Sequence, residues 1–141
     1  MSIYATVQDL ISRFGEREIA QITNRASALD VIDMAVAERA LADANAEVHS
    51  HVATRYRAPF DPVPTLLVRV ACDIARYRLY DDAVPEEIRN RYTDAVRILT
   101  RIANGEMGFG EAEASPSHPQ VAQSVTRPPK VFGRRPNGGV W

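Results

Sequence analysis

Residues 64–81 constrain the fold most. Leu66, Leu67, Val68, Val70, Ala71, Cys72, Ile74, Ala75, Tyr77 and Leu79 cover almost the whole circumference of a helix, leaving only Arg69, Asp73, Arg76 and Tyr80 as a narrow polar strip. A helix apolar nearly all round has to be covered by neighbours on several sides. The rest of the chain must therefore supply the helices that enclose it. Pro64 is placed to open this central helix, where its missing N–H costs nothing. Within the strip, Asp73 is spaced to pair with Arg69 and Arg76 at i−4 and i+3.

The covering helices are legible. Thr6 followed by Asp9 has capping-box spacing, and Val7, Leu10, Ile11 and Phe14 form an apolar stripe behind it. Gly15 ends or bends that helix, and residues 16–22 make a second short turn or helix. A longer helix is expected to start between Asp30 and Asp33 and run to about Arg57. Its stripe is Met34, Ala37, Leu41, Ala44, Val48, Val52 and Tyr56, rich enough in Ala for a neighbouring helix to approach closely, while Arg39 and Asp43 can pair on the outer face. Pro59, Pro62 and Pro64 enforce an extended connection. Residues 81–84 make a turn, and Pro85 opens a last helix with Glu86 and Glu87 at its positive end. Its inner face is Ile88, Tyr92, Ala95, Val96, Leu99, Ile102 and Ala103, and Gly105 stops it. With no strand pattern before residue 110, the expected fold is all-α, a small bundle of four to five helices.

Gly and Pro placement divides the chain near residue 110. Residues 1–110 hold 16 acidic and 13 basic side chains, a net of −3, whereas residues 111–141 hold two and four, a net of +2. The second part carries five of the nine prolines and too few apolar residues to fold alone, so it reads as an extended C-terminal arm on a helical domain. Sixteen of the 17 cations are Arg, and Lys130 is the only Lys. Codon usage of a GC-rich genome accounts for that, and so does a protein built of interfaces, since a guanidinium makes bidentate contacts.

Composition closes several doors. One Cys makes no internal disulfide, and no Cys/His set has structural-zinc spacing. A net charge of −1 argues against a sequence-blind grip on nucleic acid. No run approaches a membrane span, and the amino terminus lacks a charged-then-apolar signal. The search for catalytic or cofactor residues ends empty. His49 and His51, two apart on a helix, point away from each other, and His118 has no carboxylate nearby in sequence. Cys72 reads as an inert core thiol. Gly105, Gly108 and Gly110 follow a helix rather than a strand and lack a following Lys-Ser/Thr, so they read as a helix stop and exit, not a phosphate loop. Asp81 and Asp82 are one carboxylate pair in a turn, short of a cation site.

Arg97 and Arg101 on one face, and Arg76 and Arg78 flanking Tyr77, could touch phosphate, but 16 acids share the domain and favour salt bridges. The arm is the better interaction element. Arg127, Lys130, Val131, Phe132, Arg134 and Arg135 combine cations with extended-chain prolines and an aromatic, and Trp141 is the final residue. That is the composition of an interface anchor. Fully extended, the arm reaches roughly 100 Å at about 3.3 Å per residue.

Ile3-Tyr4-Ala5-Thr6-Val7-Gln8-Asp9-Leu10-Ile11 and Arg13-Phe14-Gly15-Glu16 resemble the opening of the head–tail joining (neck, connector, head-completion) proteins of Mu-like tailed phages. The likeness continues through AERALADANA at 37–46, Arg55-Tyr56, residues 62–67, Arg91-Tyr92 and residues 99–105. Its most specific piece is Asp73-Ile74-Ala75-Arg76-Tyr77-Arg78-Leu79-Tyr80-Asp81-Asp82, and the ending from Pro136 to Trp141 departs from the family pattern. The resemblance implies a structural virion protein at the head–tail junction, made in the host cytoplasm. It implies a homo-oligomeric ring, typically twelvefold, that docks under the portal protein, extends the DNA channel without specific DNA binding and meets the next neck or tail-completion protein. No catalysis and no cofactor are implied. Asp73, Arg76, Tyr77, Arg78, Tyr80, Asp81 and Asp82 would be structural motif residues, and the arm residues from Arg127 to Trp141 named above would hold the portal. The alternatives are a tail-completion protein, a small helical nucleic-acid-binding protein using its Arg-rich helix faces, and a helical-bundle enzyme.

Overall fold

Thr6 starts the first helix as its spacing predicts: the Asp9 amide donates to Thr6 Oγ1 at 3.3 Å and the Thr6 amide donates to Asp9 Oδ2 at 2.9 Å. A computed structural model describes residues 3–26, 30–81 and 83–109. The order is α1 (Val7–Phe14), α2 (Glu16–Thr23), α3 (Met34–Val52), α4 (Thr65–Tyr80) and α5 (Glu86–Ala103). The fold is all-α, with no strand among the described residues. The arm and Asp82 lie outside them.

Gly15 joins α1 to α2 at φ +93°, a left-handed conformation that lets two short helices meet without a loop. The connection to α3 is tied through one hydroxyl. Thr23 Oγ1 donates to the Ile19 carbonyl at 2.7 Å and accepts from the Asp33 amide at 3.0 Å, and Asp33 in turn caps α3 by accepting from the Val36 amide.

The α4 helix occupies the position its composition demands: every other helix packs against it. Pro64 precedes it as the N-cap rather than its first helical residue, with its carbonyl accepting from the Leu67 and Val68 amides. Leu67, Val70, Ala71, Cys72, Ile74 and Ala75 are fully buried. Each large one is worth about 1.5–3 kcal/mol of burial. Ala37, Ala40 and Ala44 of α3 and Ala95, Leu99 and Ile102 of α5 join the α4 residues in one buried core.

The α3 helix stops at Val52, five residues short of the expected Arg57. Its last turn tightens: the Arg55 amide bonds the Val52 carbonyl at 3.1 Å, and Thr54 Oγ1 caps the His51 carbonyl at 2.8 Å. Tyr56 thereby leaves the helical stripe. Its ring meets Phe109 with centroids 4.4 Å apart, and Phe60 packs edge-on to Phe109 at 5.5 Å and against Tyr4 at 6.2 Å. These rings gather the start of the described chain, the α3–α4 connection and its last described residue in one cluster.

Candidate interaction surfaces

The polar strip of α4 is spent between helices, not along its own. Arg76 reaches α2, donating from Nε to Glu18 Oε2 at 2.7 Å and from Nη2 to Glu18 Oε1 at 3.1 Å, with its guanidinium 4.2 Å above the Phe14 ring. Tyr80 donates to the same Glu18 at 3.0 Å. Burial and that bond both push the Tyr80 phenol up. Arg78 donates to Glu47 Oε1 on α3 at 2.7 Å, and the bond raises its already high value further. Tyr92 of α5 donates to Glu47 Oε2 at 3.3 Å and stacks on Tyr77 at 4.0 Å, only 10° from parallel.

Asp73 corrects the expected spacing pair. Asp73 forms its ion pair with Arg91 of α5 at 3.7 Å, while Arg76 turns to Glu18. A helix that close-packed directs its polar groups toward whichever neighbour offers a buried carboxylate or cation. Asp73 is 7% exposed, and desolvation raises its pKa despite the opposing pull of Arg91, Arg69 and Arg76. Among the other motif residues, Asp81 is exposed at φ +61° where α4 ends.

The surface arginines Arg97 and Arg101, for which salt bridges are the favoured reading, have local carboxylates. Arg97 bonds Asp94 at 2.8 Å, and Arg101 lies 3.6 Å from Glu106. His49 and His51 go separate ways: the Tyr4 hydroxyl and His49 Nδ1 are 2.9 Å apart, and His51 Nδ1 lies 3.0 Å from the Glu47 carbonyl. Cys72 is fully buried, its thiol pushed up to about 12 by that burial. Among the described residues no three His, Cys, Asp or Glu side chains are grouped to hold a metal ion. No described helix is long and apolar enough to cross a membrane.

Three residues that sequence reasoning passed over matter most. Glu18 and Glu47 each hold two partners, and nothing in their helical periodicity marks them. Asn45 is different, because it lies beside the apolar stripe and is 5% exposed. Its Oδ1 accepts from the Tyr4 and Ala5 amides at 3.0 and 3.1 Å, and its Nδ2 donates to the Ala5 carbonyl. A polar residue set among Leu41, Ala44 and Val48 was the available signal.

The described residues form an all-helical bundle whose α4 arginines Arg76 and Arg78 are paired across helix seams, and comparison with known proteins shows the family to which the chain belongs. The family model "Bacteriophage Mu, Gp36" matches residues 4–127. Gene product J of Escherichia phage Mu is 36% identical over 140 residues, covering 97% of this chain and 99% of the relative. The Mu-like prophage FluMu protein gp36 of Haemophilus influenzae is 34% identical over 110 residues, covering 78% and 77%. The chain belongs to the Bacteriophage Mu Gp36 family. The family model takes in all five helices and ends at Arg127, so Lys130, Val131, Phe132, Arg134, Arg135 and Trp141 lie beyond it.

Proposed function

We propose that this chain is a structural protein of the virion, an adaptor that joins the phage head to its tail. Copies form a closed ring, twelvefold in the expected arrangement, beneath the portal protein. The ring extends the DNA channel and offers a docking face to the next neck or tail-completion protein. The observation that carries this reading is the relationship to phage Mu gene product J along nearly the full length of both chains. The described body is consistent with it. Ion pairs hold Arg76 and Arg78 of α4 against carboxylates, and an acidic body lets DNA pass without adhering, because phosphate affinity comes from available cations. A ring requires two different lateral faces on each subunit, a heterologous contact that closes by rotation.

In this reading Arg127, Lys130, Val131, Phe132, Arg134, Arg135 and Trp141 anchor the arm on the portal. Asp73, Arg76, Tyr77, Arg78, Tyr80, Asp81 and Asp82 act on the structure of the body, and no residue acts catalytically. Deletion of residues 111–141 tests it in a particle-assembly assay. Heads should remain unjoined while circular dichroism keeps its helical signal. Joined, infective particles from the truncated chain overturn the arm's role. A cryo-EM map of the neck without a ring of this chain overturns the adaptor reading itself. DNA binding by the isolated protein with a steep salt slope would instead favour the nucleic-acid alternative.

A further inference from the structure

The segment held by Asn45 forms one wall of an apolar groove of about 380 Å³. Ile3 and Val7 line that wall, Leu41 and Ala42 of α3 line the other, and Glu38 is its carboxylate. Ile3 is 61% exposed, the most exposed large apolar side chain of the described body. Three bonds to the Asn45 amide fix the wall before anything binds, so an occupant meets a preformed surface.

The described chain ends two ring contacts from the segment that walls this groove. Phe109 touches Phe60, Phe60 touches Tyr4, and Tyr4 is flanked by the groove residues Ile3 and Ala5. From there, residues 110–130 precede Val131-Phe132, an apolar pair bracketed by Lys130 on one side and Arg134-Arg135 on the other. That spacing reaches any point of the body, at about 3.3 Å per extended residue. The pattern of cation, two apolar side chains and cations complements an apolar groove with an acidic lip on a body of net charge −3.

We propose that residues 130–135 of the free protein seat on their own groove, with Val131 and Phe132 against Leu41, Ala42 and Val7, and Lys130 at Glu38. A tethered segment meets its own groove at an effective concentration that free partners rarely match, which favours the same chain over a second copy. The arm is thereby stored on the body until a tighter partner takes it. This storage concerns the isolated chain and does not rest on the portal reading; failure of one leaves the other standing.

The test uses the full chain with Gly133→Cys carrying a nitroxide, and methyl NMR as readout. Cys72 is either left in place, its thiol buried, or changed by Cys72→Ala so that labelling is unambiguous. Methyl signals of Ile3, Val7 and Leu41 should broaden, and tenfold dilution should leave the broadening unchanged. Val131→Ala with Phe132→Ala should weaken occupancy by about tenfold or more, as loss of an aromatic anchor does. Unbroadened groove methyls overturn the proposal. Broadening that survives the double substitution assigns the groove to another segment and overturns it too. So does broadening transferred to isotope-labelled copies mixed with unlabelled nitroxide copies, which makes the occupant a second molecule.

Discussion

Arg76 holds Glu18 through two parallel bonds, Nε to Oε2 at 2.7 Å and Nη2 to Oε1 at 3.1 Å, across the seam between α4 and α2. Both side chains are largely withdrawn from water, at 13% and 25% exposure, so screening weakens the pair little. Arg76→Ala should cost about 2–3 kcal/mol in urea unfolding, since it strands a half-buried carboxylate that also holds Tyr80. Arg76→Lys should recover only part, because an ammonium lacks the planar fork and the stacking on Phe14. A double-mutant cycle with Glu18→Ala should show coupling of about 1–3 kcal/mol; additive single effects would contradict the staple.

Asn45 anchors the amino-terminal segment, and its loss should be felt there first. Asn45→Ala leaves two amides and a carbonyl of the Tyr4–Ala5 stretch without their partner, at a cost of about 2–3 kcal/mol. Hydrogen exchange at Tyr4 and Ala5 should accelerate more than exchange within α4. Asn45→Asp keeps the acceptor but buries a charge and removes the donor to Ala5, so it should not rescue.

How much of this was open to sequence reading depends on whether the determining contact is local. The α4 helix was legible because ten apolar residues on nearly all sides admit one solution, and Thr6 with Asp9 because a capping box is made within four residues. The Arg76–Glu18 and Arg78–Glu47 bonds span 58 and 31 positions, and helical spacing says nothing about which seam a guanidinium will cross. For Arg76 it suggested Asp73 at i−3 instead, and tertiary packing overrode it. The α3 terminus failed for a related reason. Tyr56 continues the stripe in sequence, but its ring packs against Phe60 of the following connection and Phe109 at the end of the described chain, contacts that helical spacing does not register.

Gly105 and Gly15 both have positive φ, +79° and +93°, but a Cβ at 105 would stand 2.8 Å from Arg55 Cζ, whereas one at 15 meets nothing within 4 Å. Gly15→Ala should therefore show a backbone cost alone, about 1–3 kcal/mol, since φ +93° with ψ 144° lies outside the left-handed helical well. Gly105→Ala combines a positive-φ cost with displacement of the guanidinium and should lower the melting temperature as well. Arg55→Ala in the Gly105→Ala background should then recover part of the loss, and no recovery would show that Arg55 moves at no cost.

Asp73 sets a pH dependence whose sign follows from burial. Its folded pKa lies above 3.8, so the unfolded carboxyl ionises first as pH rises, and this group's contribution to stability declines through the folded value. Asp73→Asn is neutral throughout. Its stability relative to the parent should therefore improve between about pH 3 and neutrality, in urea unfolding at a series of pH values. The exposed half of the Arg91 side chain keeps the loss of its partner inexpensive, within about 1 kcal/mol. A variant that instead loses ground toward neutral pH would mean that the arginines outweigh desolvation.

Cys72 gives the alkaline counterpart, with the same sign at the other end of the scale. Its thiol is raised from 9.0 to about 12, because a thiolate in the α4 core would be without water. Between those values the unfolded chain releases a proton that the folded chain retains. Stability should fall by about 1.4 kcal/mol per pH unit from this group alone. Tyr80 and Tyr92 are raised as well and add to the decline, so the measurement is the difference between the parent and Cys72→Ala, which keeps both phenols. That difference should be flat below pH 9 and should narrow, then change in favour of Cys72→Ala, as pH climbs. A thiol reagent reports the same burial independently. At pH 8 it should modify Cys72 at the rate of global unfolding, slowed further by anything that stabilises the fold, whereas modification within the mixing time would place the thiol at the surface.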